Sequence, residues 1–238
     1  MTLLSMCQQV ARISNIIVPT TIVGNNEGNA RILLACAQEE GRQLARGKIP
    51  GGLGQHNWQS LVKEYNFNTA SSTISYSLPS DFSRFIGDTW WNRTKTHALR
   101  LITNQRWQYD KGAINASIGL YTEMRLRGNQ ILLYPTPSST DSIYYEYLST
   151  QWCESSGGTD QSAWVADTDT GIISEDLMGL GILWRFKRSI GDQYADEKDE
   201  YEQEVRLAMG NDGGRTIIGG DDYDGSPMLN IPENGWGS

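Results

Sequence analysis

Gly128-Asn129 constrains the fold more than any other pair, because it separates two stretches whose residues favour strands. Before it, Met124 and Leu126 alternate with Arg125 and Arg127, a period of two that predicts a strand with one buried face. After it runs Gln130-Ile-Leu-Leu-Tyr134, and both turn residues tolerate the positive φ of a tight hairpin loop. Pro135 and Pro137 lack an amide donor and keep the next connection out of any ladder. Ile143, Tyr145 and Tyr147 then share one face of a further strand. The stretch from Tyr121 to Leu148 is thus a β module, and what lies at the two ends of the chain reads mainly as helix.

On the N-terminal side, Leu3, Cys7, Val10 and Ala11 have helical spacing over residues 3–14. A second helix is predicted from Asn26 to Arg46, with Ala30, Leu33, Leu34 and Ala37 as its apolar stripe and Arg31, Gln38, Glu39 and Arg42 facing away. Ile49-Pro-Gly-Gly-Leu-Gly54 reads as a linker. Strands are expected over Ser60–Asn68, Ser72–Leu78, Ile86–Trp91 and Leu99–Ile102, with a turn at Pro79–Phe82. A short helix follows from Thr103, its N-cap, to Tyr109.

Ser149–Thr170, rich in Ser, Gly, Thr and Asp, reads mostly as loop. Ser174 is placed to cap a long helical region, with Glu175 and Asp176 at the positive end of its dipole. Leu177, Leu180 and Trp184 form one stripe, continued by Tyr194, Tyr201 and Val205. Gly191-Asp192 divides the region into two helices, while Gly179 and Gly181 permit close helix packing. After Gly210 the chain is Gly-, Asp- and Asn-rich and lacks a core-forming pattern. The expected fold is α+β. A helical bundle forms from the N-terminal (1–48) and C-terminal (172–210) helices, with an inserted antiparallel β module (55–152) and an extended C-terminal arm (211–238).

The net charge of −8 argues against a general nucleic-acid binder, which needs a basic footprint. No apolar run approaches the ~20 residues of a membrane span, and the first residues carry no charged leader, so no membrane partner is expected. Cys7, Cys36 and Cys153, an odd number, support no disulfide framework and fit a reducing compartment.

Little in the chain points to catalysis. His56 and His97 are the only histidines, and neither belongs to a local signature of a Ser-His-Asp triad. Asp167-Thr-Asp169-Thr-Gly171 fails the calcium-loop pattern at three positions and reads as a solvated approach to the helix. Gly51-Gly-Leu-Gly54 is followed by no phosphate-binding lysine, and the cysteines and histidines make no zinc signature. Asp81 and Asp88 suit turns better than a glycosidase pair. No cofactor, metal or catalytic residue is expected.

Two charge patterns remain. Arg185, Lys187 and Arg188 form a basic cluster, and Asp192, Asp196, Glu197, Asp199, Glu200, Glu202 and Glu204 make the following helix acidic. Either this is a solvated face, or basic and acidic patches of neighbouring copies meet.

The run Tyr76-x-Leu-Pro-x-Asp81-Phe-x-Arg84-x-Ile86, followed by Trp90 or Trp91, resembles the adaptor proteins of short-tailed bacteriophages. So do Arg125-x-Arg-Gly-Asn129 with Tyr134-Pro-x-Pro137, Glu146-Tyr-x-Ser149-x-x-Trp152, Ala166-Asp-Thr-Asp-Thr170 and Leu180-Gly-x-Leu-Trp-Arg-Phe-Lys187. The likeness runs from about residue 3 to residue 215, and the order of the motifs is as telling as the motifs.

The resemblance implies a non-enzymatic structural virion protein at the head–tail neck, assembled from host cytoplasm. It implies a dodecameric ring of identical copies that joins the portal protein to the tail nozzle, and sometimes to tail fibres. Double-stranded DNA would pass through its channel without specific binding. Ile217, Ile218 and Trp236 are the candidate anchors of a portal-binding arm. Trp90, Trp91, Arg185, Lys187, Arg188, Glu200 and Glu204 are candidates for a subunit or tail interface. Two other readings stay open: a carbohydrate- or receptor-binding module built on Trp90, Trp91, Trp107, Tyr144 and Tyr145, and a cell-wall hydrolase using carboxylate pairs.

Overall fold

A computed structural model describes residues 1–52, 54–112 and 122–213. The chain opens with α1 (Leu3–Ile13) and α2 (Gly28–Ala45), each close to its expected bounds. Next come β1 (Val62–Asn68), β2 (Ser75–Ser77), β3 (Phe82–Phe85), β4 (Trp91–Asn92), β5 (His97–Ala98) and β6 (Arg100–Leu101). α3 (Asn104–Gly112) precedes β7 (Glu123–Arg127), β8 (Gln130–Tyr134) and β9 (Ser142–Ser149). Three short strands, β10 (Cys153–Glu154), β11 (Asp160–Gln161) and β12 (Thr170–Gly171), lead to α4 (Glu175–Ile190) and α5 (Ala195–Asp212). The class is α+β, as expected.

β7 and β8 pair antiparallel across Gly128-Asn129, with Arg127 opposite Gln130 and Gly128 at φ +60°. The alternation in β7 holds only in part. Met124 is buried, whereas Leu126 is 40% exposed because the hairpin tip projects beyond the core. The hairpin belongs to a sheet ordered β2-β8-β7-β6 whose β6–β7 pair is parallel, so the module is not wholly antiparallel.

β9 lies in a different sheet. β1 runs along one edge of it for seven residues, while β3 and β4 share the other edge and β5 pairs with β4. Ile143, Tyr145 and Tyr147 face the β core, as their spacing predicts. Leu148, the next residue along, points the other way into the core formed by the helices. β9 therefore joins two hydrophobic cores, and the aromatic strand is central to the fold.

Several strand expectations are corrected. Gln59–Leu61 is a 3₁₀ turn, so β1 starts only at Val62. Ser72 takes a positive φ and delays β2 to Ser75. Residues 86–90 form a turn through Asp88, also at positive φ, instead of a strand. Residues 150–171 are mostly loop, as expected, with three two-residue strands among them: β10 pairs with both β11 and β12. That small sheet sets the buried Trp152 and Trp164 edge-to-face at 5.1 Å against α2. The Trp164 indole donates to the Ala37 carbonyl at 3.2 Å, and a Cβ on Gly41 would lie 2.2 Å from the Trp152 ring. Two tryptophans thus anchor a stretch whose polar composition hides them.

α1, α2, α4 and α5 pack together, with α4 touching the other three. Ser174 precedes α4, but its side chain makes no capping hydrogen bond. Gly191 ends α4 in the left-handed conformation and separates it from α5, as its position predicts. α5 continues to Asp212, two residues into the stretch expected to be arm.

Candidate functional site

The most organised polar site lies where α2, α4 and α5 meet. Leu33, Ala37, Glu40 and Leu44 recur at helical spacing on the buried side of α2, so the helix carries Glu40 into the core with 0% exposure. Gly181 of α4 stands opposite, and the absence of its side chain makes room for the carboxylate. One turn further, Arg185 forms an ion pair with Glu40 and also donates to the Gly181 carbonyl at 3.1 Å. Tyr201 of α5 donates its hydroxyl to the other carboxylate oxygen at 2.7 Å. Burial pushes the Glu40 carboxyl up to about 7, against the opposing pull of Arg185 and Tyr201. Such a trio joins three helices in one register, and removing one partner from a buried ion pair costs about 3–5 kcal/mol.

Beside this trio an open groove of about 770 Å³ runs between α2 and α4, lined by Ile32, Cys36, Glu39, Trp184, Arg185 and Arg188 among others. The Arg185 guanidinium stacks 4.4 Å from the Trp184 ring centroid. The basic cluster is therefore divided. Arg185 is held by Glu40, Lys187 is paired with Glu197, and Arg188 is exposed. Glu200 and Glu204 are exposed on α5.

The aromatic candidates separate in the same way. Trp90, Trp107 and Tyr145 are buried, so the five rings considered for a sugar platform do not form one. Trp90 packs edge-on to Phe85 at 5.5 Å and presents little surface to a neighbour. Trp91 is half-buried on β4 opposite Tyr144 of β9, whose ring carries the Arg93 guanidinium at 3.6 Å. Ile217, Ile218 and Trp236 lie outside the described residues.

Residues of the ordered motifs turn out to be fasteners. Asp81 accepts from the Tyr147 and Ser149 hydroxyls and from Lys63, at 2.8–3.2 Å. Burial opposes ionisation there, but the hydrogen bonds from Ser149, Tyr147 and Lys63 outweigh it and hold the carboxyl below its usual range. Arg84 donates to the Asn57 side chain at 2.9 Å and the His56 carbonyl at 2.7 Å, tying β3 to the segment after α2. Asp167 accepts from the Ile22 and Val23 amides, and Asp169, 1% exposed, accepts from Val165 and Ala166. The reading of that loop as solvated is corrected: its carboxylates satisfy backbone donors, and its carbonyls receive the Leu3 and Leu4 amides at the start of α1.

His56 Nε2 lies 2.8 Å from Asp212 Oδ2, which also accepts the Gln59 amide at 2.8 Å. This fixes the end of α5 against the segment leading to β1. Among the described residues no hydroxyl or thiol hydrogen-bonds that imidazole. Cys7, Cys36 and Cys153 are buried free thiols, and burial pushes Cys7 and Cys153 up to about 12, far from a reactive thiolate. No group of three or more His, Cys, Asp and Glu residues that could hold a metal occurs among the described residues. No described helix is long and apolar enough to cross a membrane. The site's chemistry is that of ion pairs and helix packing.

The family model described as SU10 adaptor protein matches residues 1–223. No curated protein matches the chain.

Proposed function

The chain belongs to the SU10 adaptor protein family, a family of structural phage proteins, and from that premise we propose that it forms a ring joining the portal to the tail nozzle. The match over residues 1–223 carries this reading. The ring is a dodecamer of identical copies in the virion neck, extending the DNA channel. Portal, nozzle and, where present, tail fibres are its partners. The protein contributes no catalysis. Its net charge of −8 suits a wall past which a polyanion slides without adhering.

Residues 211–238 act as the portal-binding arm, with Ile217, Ile218 and Trp236 as apolar anchors. The His56–Asp212 pair supports this assignment by giving the arm a fixed point of departure. Trp91, beside the Tyr144–Arg93 stack, is a contact to a neighbouring copy or the tail.

Truncation after Gly213 tests the arm while keeping Asp212. The shortened protein is expected to unfold at the same temperature as the full chain and to lose co-sedimentation with portal rings. Undiminished portal binding by the truncated protein would remove the arm from the account.

A further inference from the structure

Asp196, Asp199, Glu200 and Glu204 are exposed along α5. The paired carboxylates of this helix are Glu197, Glu202 and Asp212 instead, held by Lys187, Lys198 and His56. Asp196 precedes Asp199 by three and Glu200 by four, and Glu200 precedes Glu204 by four. Like charges at these spacings are neighbours on the helix surface and disfavour it. The stripe therefore gains from a cationic surface, which α5 does not meet among the described residues.

The α2–α4 groove offers the opposite chemistry. Arg188 is exposed and in no ion pair among the described residues. Trp184, 8% exposed with its indole N–H buried, lines the same groove. Glu39, the acidic residue of the groove, is within 3.7 Å of Arg42. Ile32 and Ala35 supply an apolar wall, and Leu207, three residues beyond Glu204, is 60% exposed.

We propose that the groove of one copy receives the acidic stripe of α5 from the next copy. This deepens the ring reading and rests on it. The carboxylates meet Arg188, while Leu207 lies against the apolar wall. Groove and stripe are different surfaces, so the contact is heterologous: each copy gives one side and receives on the other, the geometry that closes rings. DNA is a poor occupant of the stripe, whose carboxylates repel phosphate.

Disulfide trapping in assembled particles tests this. Phage necks carrying Ala35→Cys with Gln203→Cys, which keep Arg188 and every carboxylate of the stripe, are oxidised and resolved on denaturing gels, beside each single variant. Native mass spectrometry of the unoxidised necks counts the copies independently. A ladder of adaptor multimers from the double variant, with single variants remaining monomeric, is the expected result. Multimeric necks without a ladder would overturn the groove–stripe contact and leave the ring standing. Dimers from either single variant, or a cross-link from position 35 to another virion protein, would also overturn it. Necks without adaptor multimers would sink the ring reading itself. Both positions are exposed, and unchanged thermal unfolding of the variants confirms that the fold is intact.

Discussion

A methyl group on Gly181 would lie 2.0 Å from the carboxyl carbon of Glu40, so these two residues are fitted to each other across the α2–α4 contact. Neither can change alone, because the carboxylate is also held by Arg185 and Tyr201 and has no solvent to retreat into.

Gly181→Ala is therefore expected to lose about 1–3 kcal/mol of stability through overpacking. Gly179→Ala, two residues earlier in the same helix, meets nothing within 4 Å and should gain up to about 1 kcal/mol from helix propensity. Urea unfolding of both variants checks the pair. Equal effects of the two alanines would mean that the close approach does not exist.

Glu40 should leave a mark on the pH dependence of stability. Its carboxyl is raised from 4.5 to about 7 in the folded protein, so between those values the folded chain keeps a proton that the unfolded chain has lost. Stability from this group is present below about pH 4.5 and is lost as pH rises through about 7. Asp81, and Asp141, where burial is outweighed by hydrogen bonds from Lys95, Asn92 and Ser139, are held below their usual range and act in the opposite sense, losing their contribution only as pH falls through their lowered values. Denaturation at a series of pH values should show Glu40→Gln removing the decline between pH 4.5 and 7 while sparing the acid limb. An identical slope in both proteins would refute the buried titration.

Asp167 fastens the connection between the first two helices. Asp167→Ala strips the acceptor from the Ile22 and Val23 amides, and Ile22 is fully buried. The expected loss is about 1–3 kcal/mol for donors left unsatisfied. Hydrogen exchange localises it: the amides of Ile22 and Val23 should exchange faster, and those of β9 should exchange at their original rate relative to global stability. Unchanged protection at residues 22 and 23 would show that the carboxylate is dispensable.

The strongly periodic segments were legible in the chain. α1, α2 and the division at Gly191 follow from apolar spacing and one positive-φ glycine, and the Gly128-Asn129 hairpin from its turn chemistry. What the sequence concealed was long-range. Glu40 shares the spacing of Leu33, Ala37 and Leu44, a signal that it faces inward, but its partners lie more than 140 residues away. Trp152 and Trp164 sit in a polar stretch with no periodicity, and only their packing on α2 shows them to be core. Trp90 ends the turn before β4 and Trp91 opens the strand, so two adjacent rings meet different surroundings, one buried and the other half-buried. The basic cluster Arg185, Lys187 and Arg188 looked like one surface, yet helical spacing distributes it among Glu40, Glu197 and solvent.

The central claim is that this chain is the ring between portal and tail nozzle. Cryo-electron microscopy of the virion neck tests it directly, with the fold described above fitted into the density. The account predicts a closed ring of copies below the portal, with α5 and the α2–α4 groove of adjacent copies in contact around the circumference. A neck whose density between portal and nozzle belongs to other proteins, or which holds this chain only as isolated copies, would contradict it.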